Sequence, residues 1–247
     1  APYPLDEGGW LVGSLEDLQG RFNLNALAAP APQGEGKPRF TAGQAQFIRL
    51  LQALGEPVVS EQEAIMITES IGDWLDEDSN PNANGAEDEY YFSRDPAHRT
   101  ANRAMVSVSE LRAVAYITPE IYAAIAPLVT VWPQVPAPLN IHTAPAIVLR
   151  SINADNDLNP LSESDGASLV DYRDNSGFTD LDDFLGNAVF GGKAEQMADI
   201  KKLLGQSSTH FLMQAEVEVA DRNMRLYSVL ERRGRRITAV ARASGSL

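Results

Sequence analysis

The chain has 247 residues, enough for one large domain or two ordinary ones, and 44% of them are hydrophobic, which excludes wholesale disorder. Its 34 acidic against 20 basic side chains give a net charge of -14, a balance that repels nucleic acid and anionic lipid and attracts metal cations. It has no cysteine, so disulfides, thiolate metal sites and thiol nucleophiles are excluded.

In chain order, Gly9 to Leu15 reads as a strand, followed by a short extended stretch over Arg21 to Asn25. Residues 28–37, rich in Pro, Ala and Gly, read as a linker. Helical periodicity begins at Gln46 and stops at Gly55. Ser60 and Glu63 form a capping-box pair that opens a helix carrying Ile65, Ile67, Ile71, Trp74 and Leu75. Further helices are predicted over residues 107–115, 118–131, 143–152, 165–174, 179–185 and 194–204, with Thr118-Pro119-Glu120 a typical helix start. Pro133, Pro136 and Pro138 interrupt the series.

The last forty residues change period. Phe211, Met213, Ala215, Val217 and Val219 alternate with polar residues, and two similar runs follow, around 224–230 and 237–241. Turns at Asp221-Arg222-Asn223 and Arg233-Gly234-Arg235 make this an antiparallel meander with one buried face. A lone N-terminal strand is not stable, so it is expected to pair with the meander. The fold class is therefore α+β, a sheet domain over 1–39 and 207–247 interrupted by a helical domain over 40–206. Asn140-Ile141-His142-Thr143-Ala144, an apolar helix and Val170-Asp171-Tyr172-Arg173 give that insertion a SAM-like, helix-hairpin-helix character.

The most informative segment runs from Asp73 to Tyr91. Its seven carboxylates from Asp73 to Glu89 have no Lys or Arg among them. Asp76, Asp78 and Asn80 alternate and Glu87 follows, which is the spacing of EF-hand ligand positions 1, 3, 5 and 12. Pro81 stands where that motif needs its turn glycine, so the EF-hand backbone is excluded while the ligand chemistry survives. Asp73, Asp88 and Glu89 add enough oxygen donors for one or two calcium ions. Asn80-Pro81 and Asn84-Gly85 fold the loop back, and Trp74 and Tyr90-Tyr91 offer it a wall. A solvated acidic loop is the competing reading.

Other signals point away from chemistry. Arg173 is the one base between Asn153 and Asp183, so the SAM-like unit is not a DNA site. His98, His142 and His210 match no zinc spacing, and neither a Gly-x-Ser-x-Gly elbow nor a nucleotide fingerprint occurs. Asp182 and Asp183 read as helix-start charges rather than a glycosidase pair. Arg232, Arg233, Arg235 and Arg236 cluster at a hairpin tip and could meet an acidic neighbouring subunit.

Four stretches occur in a fixed order: Gly20 to Asn25, Asp73 to Tyr91, Ser109-Glu110-Leu111-Arg112, and Pro138 to Ala144. Over about Gly8 to Ala243 the chain resembles general secretion pathway protein K, the large minor pseudopilin of type II secretion. His142 departs from the family pattern, which usually has a second Asn there. The resemblance implies a pilin-like sheet with a large helical insertion and no enzymatic activity. It places the protein at the tip of a periplasmic pseudopilus, initiating and capping it, with I- and J-type minor pseudopilins as partners. Exported proteins and the outer-membrane secretin are further candidate partners. The resemblance further implies an N-terminal inner-membrane anchor helix, matured by prepilin peptidase, ahead of Ala1. The resemblance also implies structural calcium held by Asp76, Asp78, Asn80, Glu87 and Asp88, with Asp73 a less central ligand. A second reading is an extracytoplasmic module that binds secreted substrates or cell-wall components.

Overall fold

The computed structural model describes residues 2–5, 9–32, 34–219 and 222–244. In chain order they form strands β1 (Tyr3–Pro4), β2 (Trp10–Asp17) and β3 (Phe22–Asn23), then helices α1 (Ala42–Gln52), α2 (Glu61–Leu75), α3 (Asp88–Phe92) and α4 (Pro119–Ile125). Strands β4 (Val129–Thr130) and β5 (Leu139–Asn140) lead to helices α5 (Ala146–Leu149), α6 (Glu163–Asn175), α7 (Leu181–Leu185) and α8 (Ala198–Lys201). Strands β6 (Leu204–Gly205), β7 (His210–Val219), β8 (Arg222–Arg233) and β9 (Arg236–Ala243) close the chain.

Two compact units result. One combines residues 1–19 with 207–247, and the other is 20–206. In the first, a five-stranded antiparallel sheet has the order β1-β2-β7-β8-β9. The N-terminal strand does pair with the meander, Leu11 opposite Val217 and Leu15 opposite Met213. Alternation puts Leu11, Leu15, Met213, Ala215, Val217, Met224 and Leu226 on one face. Leu15 is 62% and Met224 69% exposed, so within this unit that apolar face is open. Asp17 and Gln19 hold the start of β7: Ser208 Oγ donates to Asp17 Oδ2 (2.5 Å) and Thr209 N to Gln19 Oε1 (2.7 Å). Of the expected turn at Asp221-Arg222-Asn223, Asp221 lies outside the described residues, while Arg222 and Asn223 already belong to β8.

The helical unit starts at Gly20, not at residue 40 as the composition suggested. The reason is packing. Leu24 and Leu27 are buried, and the Phe22 ring lies 5.1 Å from that of Phe47 on α1. β3 pairs in parallel with β4. Asn25 receives Met105 N at 2.8 Å and donates Nδ2 to Met105 O at 3.1 Å. Residues 28–37 have no regular element beyond Ala28 among those described, Gln33 lying outside them.

α1 and α2 form the centre of the core, with Phe47, Ile48, Leu50, Leu51, Ile67 and Ile71 all buried. Each such side chain contributes roughly 1.5–3 kcal/mol of hydrophobic burial. Both helices start with capping boxes, Thr41 with Gln44 and Ser60 with Glu63. Ser60→Ala is expected to cost about 1 kcal/mol, read in a denaturant titration, because the Glu63 N–H loses its acceptor.

Several helices are shorter than periodicity predicted. The helix expected over 118–131 stops at Ile125 because Pro127 cannot donate to the ladder, and Val129-Thr130 turns into β4. The stretch at 107–115 is a 3-10 turn over Val108–Ala113, and the helix expected over 143–152 keeps only Ala146–Leu149. That expected over 194–204 is a 3-10 turn plus α8, and Leu204 leaves to pair with Leu139.

Candidate metal centre

The acidic loop joins α2 to α3, and α2 itself ties it down. Asp73, in the last turn of α2, is fully buried; its carboxylate accepts Asn82 N (3.1 Å) and Asn82 Nδ2 (2.6 Å), and also the Ala86 N–H. One turn earlier, Glu69 Oε2 accepts Asn84 N (2.7 Å) and Asn84 Nδ2 (2.9 Å). Two acids four residues apart on one helix face thus grip residues 82–86. A Cβ on Gly85 would overlap the Asp73 carboxylate. Gly85→Ala is therefore expected to cost about 2 kcal/mol in a thermal melt, since a buried acceptor must give up its donors.

With the loop folded back, Asp76, Asp78 and Glu87 each bring a carboxylate oxygen within 4.8 Å of the others. Asp76 is the C-cap of α2, its N–H donating to Gly72 O, and Glu87 precedes α3. Two oxygens here, Asp76 Oδ1 and Glu87 Oε1, are buried without a hydrogen-bond donor, and so is Asn102 Oδ1. Sequence reading missed Asn102. It adopts φ +45°, a left-handed conformation that Asn tolerates well, and its Nδ2 donates to Asp78 O at 3.2 Å.

The other expected ligands are not in that trio. Asp73 is engaged as described above. Asn80 donates both N and Nδ2 to Asp78 Oδ1, at 2.7 and 2.9 Å, closing a local turn. Asp88 Oδ1 accepts Thr100 N and Thr100 Oγ1, both at 3.0 Å. Asp76, Asp78, Asn80 and Asn82 also line a recess of about 500 Å³ with residues 27–32. The aromatic wall is present, Trp74 packing edge-on to Tyr91 at 5.4 Å.

Burial, opposed by the Thr100 hydrogen bond and aided by the Asp73 and Asp76 charges, pushes the Glu87 carboxyl up to about 7. Burial pushes Asp73 up to about 6, and raises Asp76 with help from Asp78. Such a cluster is stable at neutral pH only if protons or a cation compensate it. Its donors are hard oxygens, without the nitrogen or sulfur that zinc prefers, so they fit a calcium-like ion.

Models of the family described as type II secretion system protein K match residues 20–134 and 139–205, which together trace the helical unit. Type II secretion system protein K of Pseudomonas aeruginosa is 34% identical over 246 residues, 99% of this chain and 68% of its own length. That of Pectobacterium carotovorum is 31% identical, with 98% of this chain and 72% of the relative covered. The fold is similar to that of a chain in the crystal structure of the GspK-GspI-GspJ complex of the enterotoxigenic Escherichia coli type 2 secretion system. The TM-score is 0.82 at 24% identity, covering all of this chain and 83% of the other.

Proposed function

The chain belongs to the type II secretion system protein K family, and from that premise we propose that it is a non-enzymatic minor pseudopilin at the tip of the pseudopilus, where it helps to start and cap the fibre. The observation that carries this reading is the split sheet, in which 20–206 is inserted between strands from both chain ends. A sheet of this kind offers a pilin-like packing module, while the insertion adds bulk that would stop further subunits from stacking.

The partners in this proposal are the I- and J-type minor pseudopilins, with exported proteins and the secretin as later contacts. The site of action is the periplasm, through an inner-membrane anchor helix. Among the described residues no helix is long and apolar enough to cross a membrane. The open face with Leu15, Met224 and Leu226 is the surface such a helix would cover. In size-exclusion chromatography with purified I- and J-type subunits, the chain is expected to co-elute with both as one complex. Elution as a free monomer from that mixture would defeat the tip assignment.

The same proposal gives the acidic loop a structural calcium site. Asp76, Asp78 and Glu87 would hold the ion, and Asn102 would add an amide oxygen. Asn80 shapes the Asp78 turn, and Asp73 and Asp88 fix the loop ends, with spare lone pairs for a second ion. Bound calcium would supply the positive charge that orders the loop, linking metal affinity to folding.

A further inference from the structure

On the other side of α3 lies a cleft that this role does not use. Tyr90 and Tyr91 of α3, with Arg94 and His98 beyond it, face Arg112 and Tyr116 across an open volume of about 650 Å³. Tyr116 is held at φ +64°. A left-handed conformation costs a bulky residue roughly 1–2 kcal/mol, and such strain gathers where side-chain placement matters. Here it leaves the ring 37% exposed and 5.7 Å from that of Tyr90.

The charges in the cleft run against their surroundings. Residues 20–206 contain 26 acidic and 13 basic side chains. Arg39, Arg99, Arg103, Arg150 and Arg173 each have a carboxylate within 4.0 Å. Arg94 and Arg112 have no such ion pair among the described residues. They are backed by aromatic rings instead: the Arg94 guanidinium lies 4.3 Å above Tyr90, to whose hydroxyl it also donates, and that of Arg112 lies 5.6 Å from Tyr122. Asp95 is the acid in the lining.

A guanidinium held by ring stacking loses little side-chain entropy on taking a carboxylate, and its planar fork suits two parallel hydrogen bonds. The tyrosine faces beside it offer an edge or face to another aromatic ring. A polyanion would meet the acidic surroundings, so a single carboxylate with an apolar neighbour is the better match.

We propose that this cleft binds an acidic peptide segment of a protein partner. Its carboxylate would be taken by Arg94 and Arg112, and an adjacent aromatic side chain would pack on Tyr90 and Tyr116. The inference stands independently of the pseudopilus assignment and of the metal.

The test is an NMR titration of the ¹⁵N-labelled chain with acetyl-Gly-Asp-Phe-Gly-amide, and with the same peptide carrying Asn for Asp. Shifts are expected over residues 90–98 and 112–118, with a Kd of roughly 0.1–1 mM for the acidic peptide. Arg94→Gln, Arg112→Gln and the Asn peptide should each weaken binding about tenfold. Both arginines are exposed, so the variants should melt with the parent chain. Equal affinity for the two peptides would overturn the proposal in favour of a plain apolar groove. Displacement of the peptide by equimolar inorganic phosphate would reduce the cleft to a general anion site. Shifts elsewhere, or none, would also overturn it.

Discussion

Chelating calcium is expected to lower the melting temperature by about 10 °C. An ion at a thousandfold excess over its Kd stabilises a fold by about 4 kcal/mol, and for a chain of this size each kcal/mol shifts the midpoint by roughly 2–4 °C. Glu87→Gln and Asp76→Asn should abolish that dependence while leaving the chelated protein no less stable, since each removes a repelling charge. The pH response supplies the sign. The folded carboxyls of Glu87 and Asp73 lie at about 7 and about 6, above their ordinary values of 4.5 and 3.8. Their contribution to the metal-free protein is therefore fully present below the ordinary carboxylate range and is lost as pH rises through about 6–7. Melts in chelator should rank about pH 5 above about pH 8 on this account, and calcium should lift the higher pH most. Equal midpoints with and without calcium at about pH 8 would end the metal assignment.

Arg49→Ala is expected to cost about 3 kcal/mol in a denaturant titration. Arg49 is fully buried in α1, where Nε donates to Ala45 O at 3.0 Å and Nη1 to Ala154 O at 3.3 Å. Burial lowers its pKa to about 10, with Asp155 and Asp157 opposing that shift, so it stays charged at neutral pH. Truncation would open a cavity and remove both side-chain hydrogen bonds that Arg49 donates to these carbonyls. It would also leave Asp155 and Asp157 without their nearest buried cation. Arg49→Met, which keeps the stem volume, should cost about half as much. A loss below about 1 kcal/mol for the alanine variant would mean that the arginine fills space without tying α1 to the 154–159 loop.

What could be read from the sequence was what is local. The Ser60–Glu63 capping box, the alternation of β7 and the spacing of Asp76, Asp78 and Glu87 all depend on neighbours a few residues away. What escaped depends on distant partners. Phe22 and Asn25 look like parts of one short extended stretch until Phe47, Met105 and Val131 stand beside them. Asn102 joins the acidic trio from outside the loop, with no spacing rule to announce it. The helix expected to reach Val131 failed for a local reason that was visible: Pro127 should have outweighed the apolar periodicity around it.

The pairing of β2 with β7 also sets an order of assembly. Trp10 cannot meet Glu218 until nearly the whole chain exists, whereas the helical unit has everything it needs once Gln206 is made. That unit then draws its own two ends onto one segment. Gly20 packs so closely on Thr143 that a Cβ would clash at 2.9 Å, and the Ile141 N–H donates to Gly205 O at 3.0 Å. Once it has folded, the long gap between the sheet strands is no longer a floppy loop to be closed against chain entropy. A contact remote in sequence becomes a nearly local one, and the insertion serves as the jig on which the sheet is put together.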